Sequence, residues 1–329
     1  MECDSPQTFP SPDGTADLRI HVQAKPEWLE ACASGPETLC YVSPENQAGG
    51  KPALTVTQLA GVGGFRLDYA DGTRFVVDRQ ATRLWAAWPV TLTLENAATY
   101  LLGPVMGFVL RLRGLTSLHA SAVALGAEAM ALMGPPGAWK STAAAAFALR
   151  GCAVLCDDVC ALEEQGEGCV VRPAYPRLCL RPDSAQALCG TAETLPRLVP
   201  GWEKRYLPLD GQGHRFQPTP LLLGAIYLLG ERSSEAAAPR VEAIPPGEAL
   251  IELVKNTYMN YLLDRAPRAR EFERLGRLLE RVPLRRVTPR ADPRALPELC
   301  EAIAEDLASL RPLVFAATRA RPDTHVHDR

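Results

Sequence analysis

Ala129-Met130-Ala131-Leu132-Met133 runs into Gly134-Pro135-Pro136-Gly137-Ala138-Trp139-Lys140-Ser141-Thr142 and then into Ala143 to Arg150, closed by Gly151. The first stretch reads as a short apolar strand, the second as a glycine and proline loop ending in Lys-Ser-Thr, the third as an alanine-rich helix. Strand, loop and helix in that order are the layout of a phosphate-binding loop. Loop amides and the first helical turn aim N–H groups into one concavity, and the positive end of the helix dipole adds to them. On this reading Gly134, Pro135, Pro136, Gly137, Ala138, Trp139, Lys140, Ser141 and Thr142 form the nucleotide cradle. Lys140 reaches the outer phosphates, and the Ser141 hydroxyl ligates a magnesium ion. The usual pattern is G-x-x-x-x-G-K-S/T, and its sixth place here is Trp139 instead of glycine. Glycine in that place admits close approach of backbone to phosphate and a backbone conformation that costs a side chain energy. Gly137 supplies some of that freedom two residues earlier. The competing reading is an ordinary strand-to-helix turn that contains Lys-Ser-Thr.

The rest of the chain is compatible with a globular nucleotide-binding protein. Its 329 residues suit one large or two ordinary domains, and a hydrophobic share of 47% can fill their cores. A net charge of −3, from 35 basic and 38 acidic residues, offers no global basic field for nucleic acid. No apolar run reaches membrane-spanning length, and Met1-Glu2-Cys3-Asp4 does not open a signal peptide, so no membrane partner and a cytoplasmic location are expected. The ten cysteines form no C-x-x-C pairs. Cys152, Cys156 and Cys160 would stack on a helix, but Val154 and two aspartates indicate strand and loop, which favours reduced, buried thiols over zinc.

Taken in order, residues 1–16 lack periodicity and are expected to be disordered. Residues 17–92 read as a β-rich domain: strands at Leu18 to Val22, Leu39 to Val42 and Leu54 to Gln58, a hairpin turning at Ala70-Asp71-Gly72, and a strand at Leu84 to Trp88. Thr93 caps a helix to Arg113 that Gly103-Pro104 kinks or splits. It opens a second domain at 93–312, followed by a tail at 313–329. In that domain Leu118 to Leu125 and Cys152 to Cys156 are strands, and Val159 to Leu162 with Cys169 to Arg172 is a hairpin. Pro173 to Leu180 is a turn and strand and Asp183 to Leu188 a short helix. Leu221 to Leu229 is a buried strand. Pro239 to Ile244 is a strand and Pro246 opens a helix. Tyr258 to Arg281 is helical with a break at Pro267, and Pro293 to Leu310 is a final helix. His325 and His327 in the tail read as solvated.

Three pieces carry chemistry. Lys140-Ser141-Thr142 can hold phosphates and magnesium. Asp157-Asp158 closes the next strand, where α/β nucleotide folds put a metal ligand. His119 lies near the start of the strand pair before the loop. Phosphoryl transfer needs positioning, positive charge, a metal and a base for the incoming hydroxyl, and two adjacent carboxylates can divide the last two tasks. Arg172, Arg177, Lys204 and Arg205 are candidates for lining a substrate groove.

Leu118-His119-Ala120-Ser121-Ala122-Val123, the loop Gly134 to Thr142, and Gly151 to Asp158 together resemble the C-terminal catalytic domain of HPr kinase/phosphorylase. They resemble still more its relatives in peptide-biosynthesis clusters. The likeness spans roughly residues 95–310 in order of elements, with its specific motifs between 118 and 158. It implies an α/β fold with a mixed-sheet P-loop kinase domain, similar to the nucleotide domain of phosphoenolpyruvate carboxykinase. It further implies ATP and Mg2+ as cofactors, and a serine of a precursor peptide or small protein as acceptor. By the same resemblance Asp157 is the base, Asp158 and Ser141 the metal ligands, and His119 and Lys140 complete the catalytic set. A nucleotide-binding regulatory or adaptor protein is the alternative, supported by Trp139. The glycine-rich segment with which HPr kinases engage HPr is not recognisable, and residues 1–92 do not resemble their N-terminal domain. Self-association into a homo-oligomer is left open.

Overall fold

Alternating apolar residues in the first ninety positions build one sheet. In the computed structural model, which describes residues 17–319 apart from 34, 48–49, 62, 167, 210–212 and 263, and only the backbone of 31–33 and 311–319, the chain is mixed α/β with several sheets. The stretches read as disordered start and histidine-bearing tail end, 1–16 and 320–329, lie outside the described residues. Two units emerge: one of residues up to Gly114 with Tyr261–Asp264, the other of Leu115–Asn260 with Arg265 onward.

The first unit contains β1 (Arg19–Val22), α1 (Glu27–Ala33), β2 (Glu37–Val42), β3 (Leu54–Leu59), β4 (Gly64–Tyr69), β5 (Arg74–Val77), β6 (Arg83–Ala87), α2 (Leu94–Tyr100) and α3 (Met106–Leu112). Its sheet has the order β1-β6-β5-β4-β3-β2, antiparallel except for the β1–β6 pair. Period-two alternation gives it two faces. Leu59, Val76 and Trp85 on one face take Trp28 and Leu29 of α1, a helix the sequence reading omits. On the other, Phe65 meets Phe108 edge-on and Tyr69 stacks on Tyr100, rings 5.1 and 3.9 Å apart. These aromatic contacts explain why α2 and α3 fall in the first unit, although the sequence pattern opens the second domain at residue 93. A wide turn over Leu101–Val105, with Gly103 at φ −101° and ψ −110°, is the kink foreseen at Gly103-Pro104.

The second unit runs β7 (Thr116–Leu125), β8 (Glu128–Met133), α4 (Lys140–Leu149), β9 (Val154–Cys156), β10 (Val159–Gln165), β11 (Gly168–Arg172), β12 (Arg177–Leu180), α5 (Pro182–Cys189), β13 (Arg205–Pro208), β14 (Leu221–Leu229), β15 (Arg240–Ala243), α6 (Pro246–Lys255), α7 (Arg265–Leu279), β16 (Leu284–Thr288) and α8 (Leu296–Arg319). The main sheet is ordered β11-β10-β7-β8-β14-β16-β15, with β9 beside β7. β8, β14 and β16 are mutually parallel, whereas β7, β10 and β15 pair antiparallel, so the sheet is mixed. β11 returns to pair with β14, which closes β11, β10, β7, β8 and β14 into a ring.

Both faces of this sheet are covered. Val123, Met130, Leu132, Tyr227 and Leu229 pack with α4, α5 and α8; Leu118, Ala120, Ala131, Met133 and Leu228 pack with α6 and α7. Burial on both faces is why β8 and β14 read as continuous apolar runs. Helix α4 carries buried Ala143 to Ala148 on every side, so its small residues let it sit close to the strands. The helical stretch read from Tyr258 to Arg281 begins instead at Arg265. Pro267 lies in its first turn, where a missing N–H costs no hydrogen bond, so it starts the helix and does not break it.

Candidate functional site

The phosphate-loop stretch leaves β8 at Gly134, whose φ of +152° and tight surroundings demand glycine: a Cβ would stand 2.6 Å from the Leu229 carbonyl oxygen. Gly137, at φ +84°, has open space where a Cβ would be. Trp139 occupies the last glycine place in the left-handed conformation that glycine normally takes, φ +68° and ψ +25°, and then α4 begins. A side chain held there costs about 1–2 kcal/mol. Its ring packs at the margin of the core under α4, and the guanidinium carbon of Arg232 lies 4.4 Å from the indole centroid.

Lys140, only 7% exposed, turns its ammonium back onto the loop and donates to the carbonyls of Gly134 and Pro135 at 2.9 and 3.2 Å. Burial pulls its pKa below the ordinary lysine range, while the charges of Asp158 and Asp157 pull the other way. Ser141 donates to Asp157 Oδ1 at 2.8 Å. Thr142 shares a buried 2.7 Å hydrogen bond with Ser184 of α5, which fixes the helix and not a ligand.

Asp157 is 1% exposed. Besides Ser141, it accepts from Ser121 Oγ at 2.7 Å and, on Oδ2, from the Cys179 backbone N–H at 2.7 Å. Burial and the neighbouring charge of Asp158 raise its pKa, against those three hydrogen bonds. Asp158 is different. Its backbone sits at φ +69°, which aspartate tolerates better than most residues, and its side chain is partly exposed. His119 Nε2 lies 3.0 Å from Asp158 Oδ1. Burial alone would raise the Asp158 pKa, but the His119 hydrogen bond and the charges of His119, Lys204 and Lys140 leave it lowered.

Register explains the pairing. Val159 of β10 lies opposite His119 of β7, so residue 158 arrives beside the imidazole, while Cys156 of β9 lies opposite Ala122 and brings residue 157 to Ser121. Two groups missed by the sequence reading complete the site. Tyr258 donates its hydroxyl to the Asp158 carbonyl at 2.7 Å and sets its ring 5.5 Å from His119; burial keeps that phenol protonated. The His119 backbone N–H donates to the Asn256 carbonyl at 2.7 Å, so the segment after α6 holds both members of the pair. Asn256, Thr257 and Tyr258 carry no motif, and only folding reveals them.

The four candidate groove cations separate. Arg172 pairs with Glu163 at 2.6 Å, Arg177 lies over Tyr175 and Tyr206, and Arg205 donates to the Leu195 carbonyl. Lys204, exposed, is the one whose charge reaches Asp158. Among the described residues no three His, Cys, Asp or Glu side chains converge as a metal site, and the described cysteines, Cys152, Cys156 and Cys160 among them, are free thiols. The donors present still suit magnesium-ATP. Ser141 Oγ at the start of α4 and Asp157 at the end of β9 are hard oxygen donors, and magnesium commonly completes its shell with water and phosphate oxygens. Gly137 leaves the loop lip open beside them. No helix among the described residues is long and apolar enough to cross a membrane.

No protein-family model matches the chain, and no curated protein does. Among solved structures the chain is similar to the HPr(Ser) kinase/phosphatase from Coxiella burnetii, with 14% identity and a TM-score of 0.32, over 61% of this chain and 98% of that one.

Proposed function

We propose that this protein is an ATP-dependent, magnesium-requiring phosphotransferase that phosphorylates a hydroxyl, a serine of a precursor peptide or small protein. The observation that carries the reading is the 2.8 Å bond from Ser141, at the head of α4, to the buried Asp157 at the end of the adjoining strand. A loop hydroxyl tied to a strand-end carboxylate is what a nucleotide-bound magnesium ion requires on its protein side. When bound, magnesium neutralises charge on the phosphate oxygens.

The geometry favours exchanging the two aspartates relative to the roles implied by family resemblance. Asp157 is buried and already accepts three hydrogen bonds, so no substrate hydroxyl reaches it. It orients Ser141 on the metal side. Asp158 is partly exposed, has its pKa held low, and has His119 at 3.0 Å to hold its carboxylate. It accepts the proton of the incoming hydroxyl. Lys140 is stored on two loop carbonyls and needs only to turn toward phosphate.

The second reading, a nucleotide-binding regulator without catalysis, draws support from Trp139 at the glycine place. Transfer of labelled γ-phosphate to serine peptides separates the two: none, with tight ATP binding, favours the regulator. In either case a saturating ligand selective for the native state stabilises it, by about 2.7 kcal/mol at a hundredfold excess over Kd. Lys140→Ala is expected to remove most of the magnesium-ATP thermal shift, and an unchanged shift would take Lys140 out of the site.

A further inference from the structure

We propose that Arg232 is a polyphosphate-binding residue, stored on the indole of Trp139 and delivered from there to the nucleotide phosphates; this rests on the nucleotide reading above. Arg232 follows the carboxyl end of β14, and β14 runs parallel to β8 with Leu228 opposite Met133. The Leu229 carbonyl presses on Gly134, so the segment that carries Arg232 leaves the sheet beside the start of the loop. In parallel sheets, ligands bind outside the carboxyl ends of the strands. Trp139 immediately precedes Lys140, and the Arg232 guanidinium lies over its ring at 4.4 Å.

Two features mark this cation as available. It is exposed, and among the described residues it makes no ion pair; its contact is the aromatic face. By contrast Arg285 is committed to Asp306 at 2.6 Å and Arg150 to Glu301 at 2.8 Å. An exposed cation–π contact is a weak hold. A guanidinium on phosphate gains two charge-assisted hydrogen bonds in a fork, which is stronger. The local charge calls for it: Asp157 and Asp158 stand beside Lys140, and a polyphosphate adds further negative charge. This gives the indole a task. Its place in the motif normally belongs to glycine, yet a tryptophan is kept there in left-handed backbone, with the arginine on its face.

Calorimetric titration of the full chain with magnesium-ATP and with magnesium-tripolyphosphate tests this. Arg232→Ala is expected to weaken both about tenfold, the equivalent of one charge-assisted hydrogen bond, and Arg232→Lys to weaken both by less. Unchanged ATP affinity in Arg232→Ala overturns the inference while leaving the nucleotide site intact. Loss toward ATP without loss toward tripolyphosphate also overturns it, because the arginine then serves the base or the loop. A wild type that binds neither ligand removes the nucleotide reading and this inference together.

Discussion

Asp78 in the first unit and Asp157 in the second are both 1% exposed, yet their pKa values move in opposite directions. Asp78 lies in the turn from β5 to β6 and accepts from the Thr82 and Arg83 N–H groups, the Thr82 hydroxyl and the Arg83 guanidinium at 2.8–3.1 Å. Burial raises its pKa, but those four donors, one of them charged, leave it lowered. Asp157 receives two serine hydroxyls and one N–H, has a second carboxylate as its neighbour, and ends with a raised pKa. A carboxylate compensated within its own turn is a structural clamp. One buried beside another negative charge is held at a cost, which is the arrangement found where function requires charge.

The largest expected effect sets the Asp78 clamp against the neighbour of Asp157, the carboxylate Asp158, and it is catalytic. Asp158→Asn is expected to lower turnover on a serine peptide by about 10²–10⁴-fold, the usual worth of a general base. Asp78→Asn leaves turnover unchanged. Comparable losses in both would remove the base role assigned to Asp158.

Stability is expected to divide the two buried groups next. At position 78 an asparagine must turn its amide toward the Arg83 guanidinium or the backbone donors, so Asp78→Asn costs about 2 kcal/mol. At position 157 the serine hydroxyls can rotate to accept from an amide while its oxygen keeps the Cys179 N–H. Asp157→Asn therefore stays within about 1 kcal/mol of wild type. Urea unfolding of both variants checks the order, and a larger loss at 157 breaks the comparison.

The signs of the pKa shifts give a pH signature. A depressed folded pKa means that the Asp78 contribution is present above the ordinary carboxylate value and lost as pH falls through the folded one. The Asp78→Asn deficit should therefore shrink in acid. A raised folded pKa means the reverse for Asp157: its favourable contribution is complete below the ordinary value and lost as pH rises through the folded one. The stability of Asp157→Asn relative to wild type should therefore improve as pH climbs from about 4. Parallel curves for wild type and Asp157→Asn would remove the strain assigned to that carboxylate.

The smallest effect concerns the loop. Trp139→Gly and Trp139→Ala both lose the indole, but only alanine keeps the penalty of φ +68°. The glycine variant is expected to be more stable than the alanine variant by about 1 kcal/mol in thermal unfolding. Equal stabilities would mean the backbone rearranges once the ring is gone.

Local signals carried the reading of the elements. Apolar alternation found β1, β3, β4, β5 and β6, and the unbroken Leu221 to Leu229 run found β14. Some signals have two meanings. Pro267 reads as a break but starts α7, and α1 leaves no signal because seven residues with a tryptophan and two glutamates show no sustained period. The candidate site was half legible. Lys140, Ser141, Asp157, Asp158 and His119 could be named from residue type and order, but not which aspartate meets which partner. Ser121 as a donor to Asp157, the Cys179 N–H, Tyr258 and Arg232 had no local mark.

Sequence alone determined that a strand, a glycine-bearing loop and a buried alanine helix follow one another, because backbone preference and hydrophobic period act over a few residues. Tertiary structure decided what those residues do. The register of β7 against β9 and β10 separates the two adjacent carboxylates, one to serines in the interior and one to histidine at the surface. The parallel pairing of β14 with β8 sets a distant arginine over the tryptophan of the loop. Charge, hydrogen bonding and solvent access depend on distances of a few ångströms between residues far apart in the chain, and packing, not local preference, sets those distances.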